Sequence, residues 1–157
     1  MITLKGEIRI LKNVKYNPNK WKYAMKSGCY PYAINIFIDK FLLIGDLIGK
    51  PCNEKVSDEK LIKTFLKEME FLKYEVKEID SYQEIKENEW KVYIQREEHT
   101  GYYHFLRQDE DGIWSHKFPN ELPIRTDSAG QIIKSPDEMI EAPFNGWCFC
   151  LKQRKVS

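Results

Sequence analysis

Long apolar runs are missing from this chain. The longest candidate, residues 33–48, is broken by Asn35, Asp39, Lys40, Gly45 and Asp46. That is too polar to cross a bilayer, which takes about 20 predominantly apolar residues. The opening Met1-Ile2-Thr3-Leu4-Lys5-Gly6-Glu7 carries no apolar segment of signal-peptide length. A cytoplasmic protein with no membrane partner is the expectation. An excess of one charge is missing too: 25 Lys and Arg against 24 Asp and Glu leave a net +1, so nucleic acid is not an expected partner. The local group Lys12, Lys15, Lys20, Lys22 and Lys26 reads as a solvated surface. Neither Cys-x-x-Cys nor His-x-x-x-His spacing occurs, and without such ligand sets no metal or other cofactor is expected.

What remains fits one domain. A chain of 157 residues, 42% hydrophobic and 13% aromatic, is of ordinary domain length and can bury a core without staples; residues 1–157 are read as a single unit. Its four cysteines, Cys29, Cys52, Cys148 and Cys150, are expected to stay reduced in the cytoplasm. Cys148 and Cys150, two apart in Trp147-Cys148-Phe149-Cys150-Leu151, would share one strand face as small buried apolar groups.

Patterning then assigns the elements. Residues 3–14 read as a strand marked by Ile8 and Ile10, followed by an aromatic loop at 16–23. Ala33, Ile34, Phe37, Ile38, Phe41 and Leu42 recur at four-residue intervals and predict a helix over about 30–43. Ser57, followed by Asp58 and Glu59, is a good cap for a second helix with Leu61, Ile62, Phe65, Leu66, Met69 and Leu72 on its apolar face. Residues 90–96, 102–108, 113–118 and 146–151 alternate as strands. Early helices and late antiparallel strands predict an α+β domain, helices packed on one covered sheet.

The chemistry lies in a few residues. A thiol works as a nucleophile only as thiolate. Cys29, between Gly28 and Tyr30-Pro31, sits at the start of the first predicted helix, where backbone N–H groups lower a thiol pKa and support an oxyanion. The opposing reading is a cysteine buried beneath that helix. Only three histidines exist: His99, His104 and His116. His99, beside Glu97, Glu98 and Thr100, reads as a loop residue. Asp109-Glu110-Asp111-Gly112 predicts a three-residue hairpin loop pairing Asp109 with Ile113. In that register His104 and His116 are diagonal neighbours on one face, within about 7–8 Å. A loop of two or four residues would put them on opposite faces.

Cysteine at a helix start, then His104 in Tyr103-His104-Phe105, then His116 across a hairpin in Trp114-Ser115-His116, resembles the NlpC/P60 group of papain-like proteins. The resemblance spans roughly residues 28–118. It implies a papain-like fold and hydrolysis of peptide or amide bonds, with Cys29 as nucleophile, His104 as base and His116 as the residue orienting it. Papain-like enzymes more broadly use Asn or Asp in that third role, which keeps Asp127 of Thr126-Asp127-Ser128-Ala129-Gly130 as the alternative. The Gly28-Cys29-Tyr30-Pro31 context departs from the small residue usual after the nucleophile, so the substrate class is left open. Catalysis would be cysteine peptidase or amidase chemistry, or acyl transfer, on a peptide or protein substrate. The second expectation is a non-catalytic binding module on a hydrolase-like fold, presenting Trp21, Tyr23, Tyr102, Tyr103 and Trp114 as a contact surface.

Overall fold

A computed structural model describes residues 8–139 and 144–154. Its centre is a five-stranded, wholly antiparallel sheet of β3 (Tyr74–Glu78), β4 (Glu89–Glu97), β5 (Tyr103–Gln108), β6 (Trp114–Ser115) and β7 (Phe144–Gln153), in the order β3-β7-β4-β5-β6. Before it run β1 (Arg9–Ile10), α1 (Cys29–Ala33), β2 (Ile36–Phe37) and α2 (Asp58–Phe71), β1 pairing with β2. The class is α+β. Residues 3–7 of the expected opening strand lie outside the described residues. Among the described residues no helix is long and apolar enough to cross a membrane.

Helix α2 forms as its sequence directs. Ser57 Oγ accepts from the Lys60 N–H at 3.1 Å, and Asp58 and Glu59 occupy the first turn, where the helix dipole favours acids. Leu61, Phe65 and Met69 are fully buried against Val92 and Ile94 of β4, Phe105 of β5 and Phe149 of β7. The opposite sheet face packs Tyr93, Leu106, Trp114 and Cys148 beneath Ile133. Strand alternation divides β5 between these layers: Tyr103 and Phe105 join the α2 side, His104 and Leu106 face the other way.

The expected helix over 30–43 is corrected to one five-residue turn, α1. Asn35 stops it, adopting a left-handed φ of 64° that asparagine tolerates better than most residues. Its side chain fixes that bend: Nδ2 donates to the carbonyls of Leu11 and Asn13, both at 2.9 Å, and Oδ1 accepts from Arg107 at 3.2 Å. Beyond the bend Ile36 and Ile38 are buried and Phe37 between them less so, which follows a strand period of two. Phe41, expected on the helix's core face, is 57% exposed. The aromatic contact surface is corrected as well. Trp21 and Trp114 are each 1% exposed and belong to the core, while Tyr23 and Tyr102 are exposed.

Behind α1 a buried polar network ties the first half of the chain to the hairpin. Arg107 reaches Asp109 Oδ1 at 2.7 Å and the Tyr32 hydroxyl at 2.9 Å, and both Arg107 and Asp109 are almost inaccessible. Arg107→Met therefore strands a buried carboxylate with Arg125 as its remaining ionic partner, 3.2 Å away. Urea denaturation is expected to register a loss of about 3–5 kcal/mol, the range for breaking a buried pair from one side. Unchanged stability would show that water hydrates Asp109.

Candidate functional site

The hairpin between β5 and β6 takes the register its loop dictates. Arg107 pairs with Ser115 and Gln108 with Trp114. Asp109 N–H donates to the Ile113 carbonyl at 2.9 Å, and Gly112 takes the left-handed position with φ 89°. His104 and His116 consequently meet on one face, His104 Nε2 and His116 Nδ1 standing 2.8 Å apart. Phe118, two residues on, stacks on the His104 ring with centroids 4.8 Å apart and planes at 13°.

After Ser115 the last strand leaves the sheet. His116 pairs with Ile124 instead, exchanging hydrogen bonds of 3.0 and 2.9 Å. The expected strand over 113–118 is thus a two-residue strand that then splays. Splaying leaves the edge of β5 open at Phe105, whose N–H points to where a sixth-strand carbonyl would have been. The Cys29 thiol occupies that gap. The backbone of Phe105, with those of Cys29 and Tyr30 at the start of α1, favours its thiolate form. The sulfur is thereby set beside the residue that follows His104. A Cβ at Gly28 would come within 3.2 Å of the Phe41 ring on the cleft wall.

Cys29, His104 and His116 line one cleft of about 540 Å³, with Gln95, Lys117 and Phe118 among its other walls. Cys29 is half-buried, whereas Cys52, Cys148 and Cys150 are buried. Burial pushes the Cys29 thiol up to about 11, against the pull of these backbone groups and of Lys117. Burial pushes His104 down to about 3, and the neighbouring His116 adds to this. Both shifts oppose charge, so the resting pair is thiol and neutral imidazole.

The hydrogen bonds then fix the tautomers. His116 Nε2 meets the Thr126 carbonyl at 2.9 Å, and a carbonyl only accepts, so Nε2 carries the proton. With both rings neutral, the His116 Nδ1 lone pair accepts from His104 Nε2–H across their 2.8 Å separation. His104 Nδ1 is left as the basic nitrogen.

Asp127 is placed elsewhere. Its Oδ1 accepts from the N–H groups of Ala129 and Gln131, both at 2.9 Å, and the residue lines a separate pocket with Gln131 and Ser135. The backbone of its neighbour Thr126 is what reaches His116. His99 is exposed in the turn between β4 and β5. Trp21 packs with Tyr32 and Phe37 instead of lining the cleft.

Two cleft residues escaped sequence reasoning. Gln95, across the strand pair from His104, has a buried amide nitrogen with no acceptor. Lys117 is fully buried, and its ammonium donates to the carbonyls of Met25 at 2.9 Å, Ser27, and Phe118 at 3.4 Å. The only sequence signal was a lysine between His116 and Phe118 in a strand-like run, where surface exposure is the ordinary expectation. A larger groove along α2, with Lys60, Lys63 and Lys67 among its walls, contains neither cysteine nor histidine. Among the described residues no group of three or more His, Cys, Asp or Glu could hold a metal ion. Compared with known proteins, the chain matches no family model, no curated protein and no solved structure.

Proposed function

We propose that this chain is a papain-like cysteine hydrolase of the NlpC/P60 type, cleaving peptide or amide bonds through a thioester on Cys29. The observation that carries the reading is the ordered relay from the Thr126 carbonyl through His116 to His104, in the cleft that contains the Cys29 thiol. An imidazole held in one tautomer, with one lone pair left over and a thiol lining the same cleft, has the parts of a general base.

In this mechanism the Cys29 sulfur attacks the scissile carbonyl carbon while its proton passes to His104 Nδ1. The oxyanion that forms is met by backbone N–H groups at Cys29, with the Gln95 amide as a further donor on the wall. His104 then gives its proton to the leaving nitrogen as the C–N bond breaks, and an amine departs from the thioester. Water, losing a proton to His104, adds to the thioester, and the carboxylic acid leaves as the thiol is restored. An amine in place of water would give acyl transfer. Because thiol and imidazole both rest uncharged, proton transfer accompanies attack.

The test uses p-nitrophenyl acetate, an activated ester small enough for any acyl site. The expected result is a burst of p-nitrophenolate matching the enzyme concentration, with the acetyl group mapped by mass spectrometry to Cys29 as a thioester. Cys29→Ala is expected to abolish the burst. Acetylation scattered over surface lysines, with Cys29 unmodified, would defeat the reading. It would favour the second one, a binding module. That alternative is supported by the exposed Phe41, Tyr102 and Phe118 around the cleft, an apolar rim suited to a peptide ligand.

A further inference from the structure

The most unusual group near Cys29 is a lysine that no step of the reaction above employs. Lys117 is fully buried, a rare state for lysine unless its charge is compensated. Its ammonium donates to three main-chain carbonyls, those of Met25, Ser27 and Phe118. An ammonium has three N–H donors and no acceptor, so three carbonyls suit the charged form. A neutral amine would turn a lone pair onto one of those oxygens. The cradle consumes every proton, leaving none for a direct bond to thiolate or substrate.

Two of those carbonyls lie on the segment that delivers the nucleophile. Met25 and Ser27 precede Gly28 and Cys29, and Gly28 is the N-cap of α1. The same segment is anchored again nearby, where Asn120 N–H donates to the Met25 carbonyl and Lys26 N–H to Asp39 Oδ1 at 2.9 Å. Lys117 therefore sews the residue after His116 to the loop before Cys29, and both lysine and cysteine line the cleft.

We propose that Lys117 is a positioning residue for Cys29, its cradled ammonium holding the loop that sets the sulfur and supplying the positive charge a thiolate there requires. The inference rests on Cys29 being the reactive thiol of the cleft. The charged groups that face the lysine are Asp39, Glu121 and Cys29, each of which favours its protonated form. Burial opposes them and brings Lys117 down to about 8. Reciprocally, the charge of Lys117 lowers the Cys29 thiol. Losing the lysine's proton in mild alkali removes that charge and loosens the loop together.

Iodoacetamide tests this without any acyl chemistry, because alkylation needs only the thiolate. Cys29 alkylation is followed by mass mapping from pH 6 to pH 10 in the wild type, Lys117→Met and Lys117→Arg, alongside thermal melts. In Lys117→Met the Cys29 rate at neutral pH is expected to fall about tenfold, the change for a thiol pKa raised by one unit. Lys117→Arg, which keeps the charge, is expected to recover most of it. The wild type supplies a reading that needs no variant: its rate should rise less than tenfold per pH unit above pH 8, as the lysine discharges. Wild-type rates in a folded Lys117→Met, or a wild-type profile rising tenfold per unit throughout, would overturn the proposal. So would slow alkylation in both variants alike. If Cys29 instead fails to take an acetyl group from the ester while alkylation still depends on Lys117, the hydrolase reading falls and this one stands.

Discussion

His104→Ala is expected to lower the rate of Cys29 acylation by about 10²–10⁴, the range for removing a positioned general base. With the thiol pushed up to about 11 and the imidazole down to about 3, a thiolate is scarce at neutral pH, and attack depends on a base that takes the proton during bond formation. Water entering the space left by His104 is a poor substitute. Stopped-flow release of p-nitrophenolate measures the effect. A change under tenfold would show that the thiol reacts by simple ionisation, with His104 as packing.

The third residue can be resolved in the same assay. His116 accepts from His104 on one nitrogen and donates to the Thr126 carbonyl with the other. A carboxamide can do both, so His116→Gln is expected to stay within about tenfold of wild type, while His116→Leu loses about 10² or more. Asp127→Asn should leave acylation near wild type, since its Oδ1 is committed to the turn at Ala129 and Gln131. A collapse of acylation in Asp127→Asn with the fold intact would return the orienting role to that residue.

The second large effect is on acid stability. Burial, with His116 beside it, pushes His104 from the ordinary 6.5 down to about 3, so across that interval the unfolded chain binds the proton more readily. Stability is fully present above pH 6.5 and declines as the pH falls toward 3, at up to about 1.4 kcal/mol per unit from this one group. Asp109 and Glu68 work in the opposite direction. Burial raises both carboxyls above their ordinary range, so their protonation favours the folded chain as the pH falls. The difference between wild type and His104→Phe isolates the histidine, because phenylalanine retains the stack on Phe118. Urea midpoints of His104→Phe are expected to hold up better between pH 6 and pH 4. Parallel declines in the two proteins would mean that His104 titrates normally. Activity should likewise lack an acid limb near 6.5, since its base stays neutral well below that pH.

Some of this protein was readable one residue at a time. Ser57 with its two acids specified α2, because a cap and a helix dipole act within one turn. The Asp109-Glu110-Asp111-Gly112 loop specified the hairpin register, because a left-handed glycine at a set position leaves one pairing. From that register the meeting of His104 and His116 follows. Long-range structure decided the rest. Asn35 cut the first helix short through bonds to Leu11, Asn13 and Arg107, partners that apolar periodicity cannot reveal. The splay of the chain after Ser115 opened the edge of β5 to Cys29, and Lys117 became buried only because the Met25–Ser27 carbonyls arrived from about 90 residues away. Turns and caps are short-range interactions written in neighbouring residues, while a cleft is closed by segments distant in sequence, whose encounter depends on how the whole core packs.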